Sequence, residues 1–190
     1  MSDRGLAIDE GEVHGRSATD AERGDAFAGL ADRHLARAYR LASVILGSEP
    51  EAQDAVQDAA VVAWERFEDL RDRERFDAWF DRILVNGCRD RLRRRGRVRL
   101  IDIDGVPERA SADDSGSVAE RDALRSALSG LSPEQRVTVV LRYYGDLSLE
   151  EIADRTGERL GTVKSRLHYG LDALRAAYDA AARLPGEASR

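Results

Sequence analysis

The sequence predicts an all-α protein of two small domains, an N-terminal helical bundle and a C-terminal helix-turn-helix domain, joined by a flexible acidic linker. Three observations carry this expectation. Apolar residues recur at three- and four-residue steps over 25–95 and again over 118–183, the spacing that puts them on one face of a helix. No convincing strand pattern interrupts them: the β-branched run RVTVVLRYY follows a Ser-Pro helix start and has helical neighbours. Between the two regions, residues 97–117 hold Gly, Pro and many acids but few apolar residues after Ile103, a composition suited to a tether.

Taken in order, residues 1–24 are polar and aperiodic and are expected to form a disordered tail. From Asp25 onward Phe27, Leu30, Ala31, Leu35, Ala38, Leu41, Ala42 and Ile45 make the stripe of a first helix, ending at Gly47. SEPEAQDAVQDAAVVAWERF reads as a second, with Ser48 placed to cap it and Pro50 tolerated in its first turn. Its inward face is Ala52, Ala55, Val56, Ala59, Val62, Ala63 and Phe67. EDLRDRERF breaks the period and is expected to be a loop. DAWFDRILVNGCRDRLRRR resumes it, with Trp79, Phe80, Ile83, Leu84, Cys88 and Leu92 inside, so residues 25–96 suffice for a small bundle. The second domain, 118–183, divides into helices at 118–129 and within SPEQRVTVVLRYYG, SLEEIADRTG and GTVKSRLHYGLDALRAAYDAAAR, before a tail at 184–190. Ser132 with Pro133 marks a start, and Ser148 with Glu151 matches a capping box.

The net charge of −6 disfavours a nucleic-acid partner only until its distribution is read. Residues 89–99 carry seven Arg against one Asp, whereas 102–120 carry six acids against one Arg. Such segregation leaves a basic face able to bind phosphate and an acidic segment able to compete for it. A single cysteine excludes an internal disulfide, and three scattered histidines give no metal-ligand spacing. No apolar run approaches the roughly 20 residues that span a bilayer, and the N-terminus lacks a signal-peptide core, so a cytoplasmic protein without membrane insertion is expected.

The sharpest local pattern is LEEIADRTGERLGTVKSRLH, 149–168. Ile152 and Ala153 face inward, and Ala there lets a second helix approach. Gly157 stands where the turn needs a positive φ. Thr162 is placed to cap the second helix, while Val163, Leu167 and Leu171 return its stripe to the core. Lys164, Ser165, Arg166 and His168 remain on the exposed face, as donors for phosphates and base edges. A solvated basic hairpin shares this pattern; the coincidence of small, turn and capping positions favours DNA contact.

Two further constellations stand out. NGCRDRLRRRGRVR ends a bundle helix in a cationic edge that binds backbone charge regardless of sequence. The loop before that helix, 67–75, mixes Phe67 with several Arg, including Arg71 and Arg75, a composition that can hold unpaired bases; Trp79 beside it reads as core. The second predicted helix exposes Glu49, Glu51, Gln53, Asp54, Gln57, Asp58 and Glu65 with no base among them, which composition alone reads as a solvated face.

In this order the parts resemble a bacterial RNA polymerase sigma factor of the small, two-domain extracytoplasmic-function group of the sigma-70 family. EPEAQDAVQDAAVVAWERF is similar to the segment that grips the polymerase clamp, FDAWFDRILVNGCRDRLRRRGR to the helices that open and hold the −10 element, and LSPEQRVTVVLRYYGDLSLEEIADRTGERLGTVKSRLHYGLDALR to the domain that reads the −35 element. The resemblance spans about 25–180. It implies Asp54, Gln57 and Asp58 at the polymerase, reversing the solvated-face reading. It implies Phe67, Arg71, Arg75, Asn86, Arg89, Arg91, Arg93 and Arg94 at −10, with the 67–75 loop capturing a flipped base. At −35 it implies Thr162, Val163, Lys164, Ser165, Arg166 and His168, together with Arg159, which stands where a small polar residue is usual and implies either an added backbone contact or a different turn. Its implied partners are core RNA polymerase (the clamp of the largest subunit and the flap of the second largest), promoter DNA, and an anti-sigma factor that covers both domains.

Neither a nucleophile–base pair, a phosphate-binding Gly loop nor a metal cluster is found in the sequence, so no enzyme activity, cofactor or metal is expected. Two other readings remain at this stage: a stand-alone helix-turn-helix regulator using 25–95 to sense or dimerise, and a decoy that occupies polymerase without starting transcription.

Overall fold

The computed structural model describes residues 10–101 and 117–182, with side chains over 21–97 and 121–180. These residues form α1 (Glu10–Leu46), α2 (Glu49–Glu65), α3 (Phe76–Ile101), α4 (Ser117–Ser129), α5 (Pro133–Tyr143), α6 (Leu149–Thr156) and α7 (Leu160–Ala182), with 3₁₀ turns at Phe67–Asp69 and Arg73–Arg75. Helices α1–α3 pack as one unit and α4–α7 as another. No strand occurs among the described residues.

Three expectations about boundaries are corrected. Helix α1 begins at Glu10, inside the stretch expected to be a tail. Residues 10–24 contain no proline, and extension of a helix already anchored downstream adds one hydrogen bond per residue fixed. Helix α3 runs through Gly96 to Ile101 rather than yielding to the linker at 97. There Arg95 donates to the Leu46 carbonyl (3.0 Å) and pairs with Glu51, which offsets the roughly 1 kcal/mol cost of a helical glycine. Ser48 occupies the start of α2, but its side chain makes no capping bond; Pro50 and the acidic first turn serve instead. The remainder of the expected linker, the first residues of the tail and the C-terminal tail lie outside the described residues.

In the first unit Ala42, Ile45, Ala52, Ala63, Val85 and Cys88 are fully buried, and the alanines let three helices meet closely. An aromatic cluster closes one end: Phe27 meets Phe67 edge-on at 5.2 Å, and Phe76 stacks on Phe80 at 5.7 Å. Trp79 packs against this core, as expected. In the second unit, capping boxes start α5 (Ser132 with Gln135) and α6 (Ser148 with Glu151). Gly170 lets α7 approach α5: a Cβ there would lie 3.0 Å from Val139 Cγ2. The units are in contact, α5 and α6 lying against α3 and α5 against α1, and their buried side chains form one continuous cluster.

Candidate nucleic-acid interface

The α6–turn–α7 segment has helix-turn-helix geometry. Gly157 ends α6 in the left-handed region at φ 70°, and its N–H donates to the Ala153 carbonyl. Ile152 and Val163 are buried to 0% and 1% exposure and lock the two helices together. Arg159, Lys164, Ser165 and His168 are exposed, with Thr162 and Arg166 half-buried between them. The Ser165 hydroxyl donates to the Gly161 carbonyl (3.1 Å), Arg166 pairs with Glu158 (3.0 Å), and His168 approaches Asp172 at 3.5 Å. Two expectations change. Val163 belongs wholly to the core, so its contribution at the surface is to hold Lys164 outward. Thr162 lies inside the first turn, because α7 starts at Leu160, and is not the cap.

The cationic edge of α3 is already occupied by acids. Arg89 donates to Asn86 Oδ1 (2.6 Å) and pairs with Glu158 (3.4 Å). Arg91 pairs with Asp58, Arg93 with Glu134 and Arg75 with Asp154 (3.1 Å); Arg71 and Arg94 are exposed. Burial pushes the Glu134 carboxyl up, but its backbone hydrogen bond and Arg93 outweigh that and hold it below the usual carboxylate range. Phe67, expected at a base, is 2% exposed and faces Phe27 and Phe76, so its ring is not free to stack. What the loop presents instead is Arg73, lying over the Phe67 ring at 4.5 Å. Beside it opens a cleft of about 280 Å³ lined by Glu22, Arg23, Phe67, Glu68 and Arg73.

On α2, Asp54, Gln57 and Asp58 are exposed along one face with Val61, which is 57% exposed. Their i, i+3, i+4, i+7 spacing makes a single stripe. Val61 was not singled out from the sequence, although the spacing would have found it. Three other residues were missed: Asp81, Arg136 and Arg155 are all buried between the two units. A charge at an otherwise apolar helical position was their only signal. Burial and nearby Arg95 bring Arg136 down to about 10, and its Nε has no hydrogen-bond partner. Among the described residues no group of three His, Cys, Asp or Glu is placed to hold a metal, and no helix is long and apolar enough to cross a membrane.

Two family models match this chain: sigma-70 region 2 over residues 30–98, and sigma-70 region 4 over 127–176. The extracytoplasmic-function sigma factor SigL of Mycobacterium tuberculosis is 36% identical over 151 residues, covering 77% of this chain and 85% of SigL. SigV of Bacillus subtilis is 36% identical over 137 residues, covering 72% and 81%. SigE of Mycolicibacterium smegmatis is 35% identical over 152 residues, covering 77% of this chain and 59% of SigE. Among solved structures, the sigma factor RpoE in complex with the anti-sigma factor NepR, from Bartonella quintana, superposes with a TM-score of 0.65 at 25% identity, over 80% of this chain and 96% of that one. CnrH in complex with the cytosolic domain of CnrY gives 0.58 at 29%, over 81% and 88%. With regions 2 and 4 in order on an all-helical frame, the chain belongs to the extracytoplasmic-function group of the sigma-70 family and is a non-enzymatic sigma factor that directs RNA polymerase to promoters for transcription initiation.

Proposed function

We propose a division of labour among three surfaces of this chain. The α2 stripe of Asp54, Gln57, Asp58 and Val61 docks on the clamp of the largest polymerase subunit, while the second unit engages the flap of the second largest. Lys164, Ser165, Arg166 and Arg159 then address the major groove and phosphates of the −35 element. His168 lies one turn beyond Lys164 and adds a backbone contact. The α3 edge, Asn86, Arg89, Arg91, Arg93 and Arg94, holds separated −10 strands. Arg71, Arg73 and Arg75 flank the cleft, which receives an extruded base. Each contact is modest, and joining them on one polymerase surface multiplies them through effective concentration.

The observation that carries this reading is the burial of Ile152 on α6 and of Val163 on α7 in one core cluster. This fixes α7 rigidly with Lys164 and Ser165 outward. The chain acts in the cytoplasm, where its template and polymerase are. By likeness to the RpoE–NepR and CnrH–CnrY complexes, an anti-sigma protein is a further partner.

Charge reversal separates the roles. Asp54→Arg with Asp58→Arg abolishes association with core polymerase. Lys164→Ala leaves that association intact, weakens promoter binding by the holoenzyme and lowers the salt dependence of log K by about one phosphate contact. A stand-alone regulator would instead bind DNA unchanged after the α2 reversals, and a decoy would be indifferent to Lys164.

A further inference from the structure

The C-terminal end of α2 is closed by a residue of another helix. Its last turn has no basic residue, and the residue that follows, Arg66, sits at φ −106° rather than in the left-handed region. The negative helix end therefore has neither a local cation nor a glycine cap. Arg23 of α1 supplies the charge. Its Nη2 donates to the Trp64 carbonyl (2.9 Å), and its guanidinium carbon lies 4.5 Å from the centre of the Trp64 ring. Its Nη1 pairs with Glu68 in the 3₁₀ turn at 3.2 Å. Trp64 is held in turn by Phe27 of α1, edge-on at 5.4 Å. One guanidinium thus ties α1 to the end of α2 and to the start of the 67–75 loop. Its Nε is buried without a partner, so this placement carries a desolvation cost that the other contacts outweigh.

We infer that Arg23 is a positioning residue for the cleft lined by Glu22, Arg23, Phe67, Glu68 and Arg73: it sets the loop so that the cleft grips an extruded base. The inference rests on the reading of that cleft as a base receiver.

The lining suits a base and not a phosphate. It offers two carboxylates and two guanidinium groups, acceptors and donors without net charge, which match the mixed edge of a neutral base. Arg73 is exposed and lies over the buried Phe67 ring at 4.5 Å, and a guanidinium plane held on a ring is a surface on which a base stacks. Glu68 stands exposed on a 3₁₀ turn, and among the described residues its ion-pair partner is Arg23. Without Arg23 the cleft would carry net negative charge, and the loop would lose its tie to α1. Lysine cannot substitute: a planar fork serves a carbonyl and a carboxylate at once while lying on the indole, whereas an ammonium is a single point charge. Glu22 and Arg23 both precede the 30–98 stretch matched by sigma-70 region 2, so this wall of the cleft comes from the part of α1 outside the family match.

The test uses holoenzyme assembled from core polymerase and the full chain, on a promoter selected from a random pool by run-off transcription. Each base of the motif nearer the start site, on either strand, is replaced in turn by an abasic site, and the ratio of transcript from intact and abasic templates is measured. Because each ratio compares two templates with one protein, a general loss of folding or of DNA affinity cancels. The unaltered chain is expected to lose about tenfold at one position, the extruded base, and Arg23→Ala only about twofold there, with the ratios at other positions unchanged. Arg23→Lys, which keeps the charge, is expected to match Arg23→Ala. A full tenfold loss retained by Arg23→Ala overturns the positioning role and leaves the cleft reading standing. An equal change of ratio at every position overturns it too, as the mark of a generally loosened unit. Restoration by Arg23→Lys overturns the argument from the guanidinium fork, since charge alone would then suffice. If no single position stands out with the unaltered chain, the cleft reading itself fails and the inference with it.

Discussion

Replacing Ile152 by Ala tests the lock between α6 and α7 directly. The side chain is fully buried in the second unit's core. The change deletes three carbons, about 2.4 kcal/mol of transfer free energy at ~0.8 kcal/mol per methylene. Val163, Leu141 and Val137 of the same core cluster are themselves at most 1% exposed, so collapse around the gap is limited and the cavity adds to the loss. The expected total is about 3–4 kcal/mol, within the ~2–5 kcal/mol range of such truncations. A unit the size of 117–182 commands roughly 3–10 kcal/mol in all, so the variant loses a third or more of its margin. Urea unfolding of the full chain, followed by far-ultraviolet circular dichroism, reads this as a lower midpoint at unchanged slope. Binding of −35 DNA by the holoenzyme should weaken in parallel, since Lys164 and Ser165 no longer sit on a fixed helix. A loss below about 1 kcal/mol would refute the argument that this contact holds the recognition helix in place.

Further outcomes follow from single residues. Gly157→Ala, at φ 70°, should cost about 1–2 kcal/mol, whereas Gly161→Ala, with open space around its Cα, should gain about 0.5–1 kcal/mol; paired denaturation curves distinguish them. Burial raises the Cys88 thiol to about 12, so at pH 8 only about one chain in ten thousand carries a thiolate there, and thiol reagents should label it only on unfolding. Glu151, hydrogen-bonded by the Ser148 N–H and hydroxyl, lies below the ordinary glutamate value of 4.5. Its stabilisation is complete above that value and lost as pH falls through the lowered one. The capping box of α5 uses uncharged Gln135, so hydrogen exchange on acidification should loosen the start of α6 before that of α5.

The reach of the sequence can be judged residue by residue. Apolar periodicity located the helices because burial itself is periodic, and Ser132, Ser148 and Gly157 marked ends because their chemistry is local. Helix ends governed by distant partners were not legible: α3 passes Gly96 with Arg95 bound to Leu46 and Glu51 of other helices. Phe67 illustrates the same limit at the candidate site. An aromatic beside arginines suits a base platform, yet Phe27 and Phe76 claim its ring. Arg155 and Asp81 stand out in the sequence only as charges at otherwise apolar helical positions, and their pairing is visible only when the second unit is laid against α3. Lys164, Ser165 and the α2 acids were legible because their exposure follows from the same helical period that buries their neighbours.

Transcription by purified core polymerase on a pool of random promoter fragments, with and without this chain, tests the central claim most directly. Chain-dependent transcripts should share two spaced upstream motifs; Lys164→Ala should relax selection at the distal motif, and Arg71→Ala with Arg73→Ala selection at the proximal one. Transcripts sharing a single motif, or both motifs surviving these substitutions unchanged, would contradict two-site recognition by α7 and the 67–75 loop.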